Sequence, residues 1–373
     1  VDMDSDYQVD AIYFGTYGGT GACSTTTATS CSIDSNCPTG EWCNFNNNKF
    51  YRLRIRDDGD TDPFTKNYQT TPSAWDIGIV VDVKRPIYAS PEIAQDSSGN
   101  KWLYFGTGLY LSGEHATATT ANEYLYGVKE TANCWKGIGT CSAYATFLDS
   151  TNISFTGATA TERGCFCAGN LIETKTCSGG TCAACTSGLD TVVTKVTNAT
   201  LTDGGGVTTC DTTDPTGTAA IDCLTTQINS STGCSGSACN GWKRAISGQK
   251  MFSRPFVAGG LVDFTSFKPT STSCSLGGQT YLWSLHYTTG TAYVQPTIFA
   301  CDAAGCSTAT TGLTINASIN LGTGVPPLGE SLVALPLSGD TYKVITQVSG
   351  GLPGTSMAPS LPAKSGYVLW IVK

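Results

Sequence analysis

Ile87-Tyr-Ala-Ser-Pro91-Glu-Ile-Ala, a turn at Asp96-Ser-Ser-Gly-Asn100, Lys101-Trp-Leu-Tyr-Phe-Gly-Thr-Gly108 and Glu123-Tyr-Leu-Tyr-Gly-Val128 follow one another as the most regular stretch of the chain. Three runs rich in aromatic and β-branched residues are separated by Gly, Asn and Ser, the pattern of short strands joined by turns. The same order returns at Met251-Phe-Ser-Arg-Pro255-Phe-Val-Ala, Gly260-Leu-Val-Asp-Phe-Thr-Ser-Phe267 and Gln279-Thr-Tyr-Leu-Trp-Ser-Leu285, closed by a turn at Thr288-Thr-Gly290. It returns again at Leu332-Val-Ala-Leu-Pro336, Tyr342-Lys-Val-Ile-Thr-Gln-Val348 and Gly366-Tyr-Val-Leu-Trp-Ile-Val372. A copy at the start, Val9–Thr16 and Phe50–Ile55, lacks its first strand, to be supplied from upstream or by the C-terminal end if the ring closes on itself. Pro91, Pro255 and Pro336 lie early in their units, where an inner strand can spare one ladder N–H.

A strand repeat interrupted by long, variable insertions predicts a radial architecture. The expected fold is all-β, a modified β-propeller with long disulfide-rich loop insertions, with a β-sandwich as the alternative. Residues 1–130 form the first part of the propeller, including a cysteine-rich loop at 20–48. Residues 131–248 form a cysteine-rich insertion and 249–373 the second part. The 13% of charged residues, 43 Gly and 3 Met suit strands and turns rather than helices. Trp102, Tyr104, Tyr126, Trp283 and Trp370 fall on strand patterns as core, whereas Trp42, Trp75, Trp135 and Trp242 are candidates for stacking on carbohydrate.

Eighteen cysteines and two histidines are present, and neither His115 nor His286 stands near a cysteine pair at zinc spacing. The CxxC at Cys182–Cys185 is followed by Thr186, not by the His that haem attachment needs. Disulfides, and export from the cytoplasm, are the remaining reading. Eleven cysteines lie between Cys134 and Cys239, an odd number. If the four of the 20–48 loop and the pair Cys301 and Cys306 close internally, Cys274 is left to bridge to the insertion. No apolar run reaches the ~20 residues of a membrane span. The chain starts at Val1 inside a motif, which reads as a C-terminal piece of a longer exported protein. The net charge of −8 argues against nucleic acid as a partner.

Asp2-Met-Asp4-Ser-Asp6-Tyr-Gln8-Val-Asp10 sets carboxylates at positions 1, 3, 5 and 9 of a short loop, with the Gln8 carbonyl at position 7. Such alternation turns successive oxygens toward one centre, and close carboxylates repel one another unless a cation sits among them. Asp2, Asp4, Asp6, Gln8 and Asp10 are therefore the expected Ca²⁺ ligands. Tyr7 stands where an EF-hand has Gly, and Tyr13 where it has its bidentate Glu. A second acidic cluster, Asp57–Asp62, is less regular and reads as a solvated turn or a weak cation site.

The acidic loop running into Ile12-Tyr-Phe-Gly-Thr16, the Tyr51-Arg-Leu-Arg54 strand, Pro91 with Tyr104-Phe-Gly-Thr-Gly108, and Gly260–Phe267 leading to Cys274-Ser-Leu-Gly-Gly278 together resemble the C-terminal propeller domain of PilY1-type proteins of type IV pili. The resemblance covers 1 to about 130 and about 248 to 373. It implies a pilus-tip and pilus-biogenesis factor at the cell surface, exported through the periplasm, that promotes adhesion. It also implies that Ca²⁺ occupancy influences extension against retraction, with Asp2, Asp4, Asp6 and Asp10 as calcium carboxylates. The implied partners are minor pilins of the tip complex and a host-cell, surface or glycan receptor; the rival role is pilus capping without an outside target. No Arg-Gly-Asp occurs in the chain, so integrin recognition is not implied.

An enzyme is not expected. Quinoprotein dehydrogenases share the strand pattern, but their adjacent Cys-Cys pair is absent. No Gly-x-Ser-x-Gly elbow occurs, and His286 ends an apolar strand as a packed or surface residue rather than a base. The Gly-rich Phe14–Gly21 stretch lacks the Lys and the following helix of a phosphate loop.

Overall fold

The structure, a computed structural model, describes residues 11–55, 71–110, 122–131, most of 134–326, and 332–336, 342–347 and 353–358. It is predominantly β-strand. The first sheet joins Ala11–Gly15, Phe50–Arg54 and Asp76–Val81 in antiparallel order. Asp76–Val81 had no place in the sequence repeat; it follows the predicted pair as a further strand, while Ala11–Gly15 keeps an edge among the described residues.

The second sheet is the quoted unit. Glu92–Gln95, Lys101–Gly106 and Asn122–Glu130 form a meander, and Gly241–Ser247 adds to it after the long insertion. The predicted turn forms because Asp96 caps it. Its carboxylate accepts the backbone N–H groups of Ser98 and Asn100 at 2.9 and 2.8 Å and the Trp102 indole N–H at 3.0 Å, with Gly99 at φ 85°. The third sheet repeats the order with Phe256–Ala258, Leu261–Pro269, Gly278–His286 and, after another insertion, Ser318–Thr323. Glu92–Gln95 and Phe256–Ala258 are edge strands entered directly from Pro91 and Pro255, and Arg254 ties them together through an ion pair to Glu92 at 2.7 Å.

A last sheet joins Leu332–Pro336, Tyr342–Gln347 and Pro353–Ala358. Pro353–Ala358 is a strand that the sequence repeat did not mark, and the expected strand Gly366–Val372 lies outside the described residues.

The junction between neighbouring sheets is itself repeated. Ile87 N–H donates to Thr16 O at 3.0 Å, and Met251 N–H donates to Thr107 O at 3.0 Å. Each acceptor follows a Phe-Gly pair, and each glycine lies so close to the incoming residue that a Cβ on Gly15 would sit 2.2 Å from Ile87, and one on Gly106 2.1 Å from Met251. The Phe-Gly-Thr motif thus recurs because the side chain of the first residue of the next unit, Ile87 or Met251, packs where a Cβ of the glycine would otherwise stand.

Lys101–Gly106 alternates between two cores. Leu103 and Phe105 turn toward Phe50, Val80 and Tyr126, with Phe105 stacked 4.2 Å from Phe50; Trp102 and Tyr104 turn toward Trp242, Phe264 and Leu285. A strand buried on both faces reads as a continuous apolar run, and each such large side chain contributes roughly 1.5–3 kcal/mol.

The insertion departs from the all-β expectation. Thr218–Asn229 is an α-helix that buries Ala220, Ile221, Leu224 and Ile228, so the chain is not purely β. Nor does the insertion stand on cross-links alone, because these residues, with Phe155 and Leu201, share one core with Trp242 and Phe264 of the sheets. Its strands build a nine-stranded sheet that also takes in Ala300–Cys301 and Leu313–Ile315 from the later insertion. Disulfides join Cys134 to Cys141, Cys165 to Cys185, Cys210 to Cys223 and Cys234 to Cys239. The bridge expected from Cys274 lies outside the described residues.

Candidate functional site

The acidic loop at Asp2–Asp10, the Asp57–Asp62 cluster and His115 lie outside the described residues. Ala11, just beyond the acidic loop, is fully buried and paired with Arg54, so the strand following the loop is anchored in the first sheet.

Among the described residues, the cavity with chemistry to offer lies where the 20–48 loop meets the sheets. That loop is a small sheet of Gly21–Cys23, Ser30–Cys31 and Cys43–Phe45, closed by Cys23–Cys37 and Cys31–Cys43. The sulfurs of Cys23, Cys31 and Cys37 lie together because these bridges are adjacent, and no thiolate is available there for a metal. A 3₁₀ turn at Asp34–Asn36, between Cys31 and Cys37, presents Asp34 inward. Lys84, held at φ 59°, accepts the Phe45 N–H at 3.0 Å and so presses the following Arg85 against the loop.

Arg85 is saturated. Its Nη1 and Nη2 reach Asp34 at 2.7 and 2.8 Å, Nη1 also reaches the Cys43 carbonyl at 2.9 Å, and Nε and Nη2 reach Glu123 Oε1 at 3.1 and 2.5 Å. Burial alone would raise the Asp34 carboxyl, but the Arg85 guanidinium and the Cys43 N–H outweigh it and hold it below the usual carboxylate range. The other Glu123 oxygen, Oε2, is buried with no hydrogen-bond partner among the described residues. Lys250 enters from beyond Gly241–Ser247, pinned by backbone bonds to Phe267 at 2.8 Å. Its side chain is buried and its amine makes no hydrogen bond among the described residues. Burial lowers the Lys250 ammonium, against the pull of Glu123.

Together with Tyr17, Ile33, Phe45 and Leu109, these groups enclose a cavity of about 200 Å³. It is lined mainly by apolar groups and holds two unmatched polar ones, the usual composition of a small-molecule site. None of Asp34, Arg85, Glu123 and Lys250 was singled out by sequence reading. They are far apart in the chain and share no motif; the available signal was an isolated charge beside an apolar run, as in Arg85-Pro86-Ile87.

Other expected positions sort by burial. Trp102, Tyr104, Tyr126 and Trp283 are core as predicted, and Trp370 lies outside the described residues. Trp135 and Trp242 are buried, not available for stacking on carbohydrate, and Trp242 lies between Gly127 and Gly290 with its indole N–H on Tyr287 O at 2.8 Å. His286 is packed, its Nδ1 3.2 Å from the hydroxyls of Thr288 and Thr289, and burial pushes its pKa down to about 3. Among the described residues, no helix is long and apolar enough to cross a membrane.

No protein-family profile matches the chain, and no curated protein does. Solved structures that resemble it include the C-terminal domain of PilY1 from Pseudomonas aeruginosa, with a TM-score of 0.45 and 11% identity over 84% of this chain. The chain spans 56% of the length of that one.

Proposed function

We propose that this chain is an exported, non-enzymatic recognition module of the PilY1 type, a modified β-propeller at the tip of a type IV pilus whose insertions form the contact surface. The repeated sheet junction carries the reading: Thr16 with Ile87 and Thr107 with Met251 make the same bond at the same distance. Successive sheets related by one repeated contact are what a radial scaffold requires. The cross-linked insertions leave that scaffold between strands, where recognition loops are held in place by rigid elements beneath them. Six disulfides among the described residues suit an oxidising compartment.

In this reading Asp2, Asp4, Asp6, the Gln8 carbonyl and Asp10 hold Ca²⁺, whose occupancy biases pilus extension against retraction. Minor pilins bind the module, and a surface receptor engages its loops. Two measurements test it. Calorimetric Ca²⁺ titration should give heat with the native chain and none with Asp6→Ala; equal heats would remove the metal site. Purified chain should bind minor pilins and a cell surface. Pilin binding alone would favour a capping role, and binding to neither would end the pilus reading.

A further inference from the structure

We propose that the cavity between the stapled loop and the sheets binds a neutral, hydroxyl-rich ligand of the size of one pyranose ring, through Glu123 and Lys250. Arg85 has five N–H groups, and the contacts to Asp34, Cys43 O and Glu123 Oε1 use all of them. Asp34 is likewise matched by Arg85 and by the Cys43 N–H at 2.8 Å. Two groups remain open among the described residues: Glu123 Oε2, a buried acceptor with no hydrogen-bond partner, and the Lys250 amine, a donor that lines the cavity and makes no hydrogen bond.

Both belong to side chains that are nearly inaccessible, Glu123 at 1% and Lys250 at 6% exposure, and both line the cavity. A buried polar group without a partner is costly, so the site is built to be completed. A single anion would satisfy Lys250 but meet the carboxylates of Glu123 and Asp34. A single cation would satisfy Glu123 but meet Arg85 and Lys250. Adjacent hydroxyls satisfy both at once, since one donates to Glu123 Oε2 and its neighbour accepts from Lys250, and neither brings a charge that must be stripped of water.

The rest of the wall suits the apolar face of a sugar ring. Ile33, Phe45 and Leu109 supply aliphatic and aromatic surface, and Tyr17, 52% exposed, stands at the mouth. The volume of about 200 Å³ is below the ~300 Å³ at which drug-sized pockets begin, which limits the occupant to one ring.

The test is saturation-transfer NMR on the purified chain with the methyl pyranosides of galactose, glucose, mannose and N-acetylglucosamine, and with glycine and acetate as charged controls. At least one glycoside should receive saturation at its ring C–H protons. Its affinity should fall about tenfold in Lys250→Met, which keeps the apolar stem but removes the donor. Tyr17→Ala, at an exposed position where folding is little affected, should weaken binding as well, with an unchanged near-ultraviolet circular dichroism spectrum in each variant. Should Lys250→Met lose that spectrum, Tyr17→Ala decides. No transfer from any glycoside, undiminished transfer in the folded variants, or displacement of the sugar by glycine or acetate would each overturn the proposal. The assay uses neither Ca²⁺ nor pilins, so its failure and the failure of the pilus reading are separate results.

Discussion

His286→Gln should make the chain more resistant to acid. The imidazole is pushed down to about 3 by burial, whereas in the unfolded chain it titrates at 6.5. Between these values the unfolded state binds a proton that the folded state refuses. Stability is therefore intact above pH 6.5, falls as pH drops through the window, and levels off near pH 3. Each pH unit inside the window costs about 1.4 kcal/mol, so at pH 4.5, two units below the unfolded value, the loss is roughly 2–3 kcal/mol. Gln keeps a polar group near the Thr288 and Thr289 hydroxyls but cannot take up the proton. Urea unfolding of both proteins at pH 7.5, 5.5 and 4.5 isolates this contribution, because the carboxylates are common to both. The stability of wild type relative to variant should drop by that amount between pH 7.5 and 4.5. A difference that stays constant within about 0.5 kcal/mol would show that the imidazole accepts its proton in the folded state and would refute the burial argument.

Gly127→Ala should lower the melting temperature sharply, since its Cβ would stand 2.3 Å from the Trp242 ring, an overpacking that costs roughly 1–3 kcal/mol or more. Trp242→Ala should cost about 3–5 kcal/mol in urea unfolding, because the fully buried ring packs in the core shared by the sheets and the insertion. Arg85→Met leaves Asp34 and Glu123 buried without their cation, a loss of about 3–5 kcal/mol, and hydrogen exchange should report it first at the Cys43 amide that Asp34 accepts. Replacing Cys31 and Cys43 together by Ser opens a bridge of sequence separation 12 and should remove about 3 kcal/mol, with the Tyr17 side of the cavity losing protection in the same experiment.

What the sequence determined by itself is local and periodic. The aromatic and β-branched runs at Lys101–Gly108 and Gly260–Phe267, and the turn chemistry of Asp96–Asn100, depend on neighbours a few residues away, and they produced the meanders in their expected places. Cysteine usage likewise pointed to disulfides before any pairing was visible. The helix at Thr218–Asn229 was legible in principle, since Ala220, Ile221, Leu224 and Ile228 fall on one helical face, but the surrounding Gly, Thr and Ser hid that period inside a cysteine-rich insertion.

Tertiary structure alone decided three things. Gly241–Ser247 returns to pair with Asn122–Glu130 across an insertion of more than a hundred residues, a pairing that no local pattern encodes. Trp242, indistinguishable in sequence from an exposed tryptophan, is buried because Gly127 and Gly290 leave room for it. The cavity charges come from four distant positions, and only folding sets Asp34, Arg85, Glu123 and Lys250 within reach of one another. The division is physical: periodicity and turn propensity act over a few residues, whereas burial and charge pairing are properties of space, fixed only when remote segments meet.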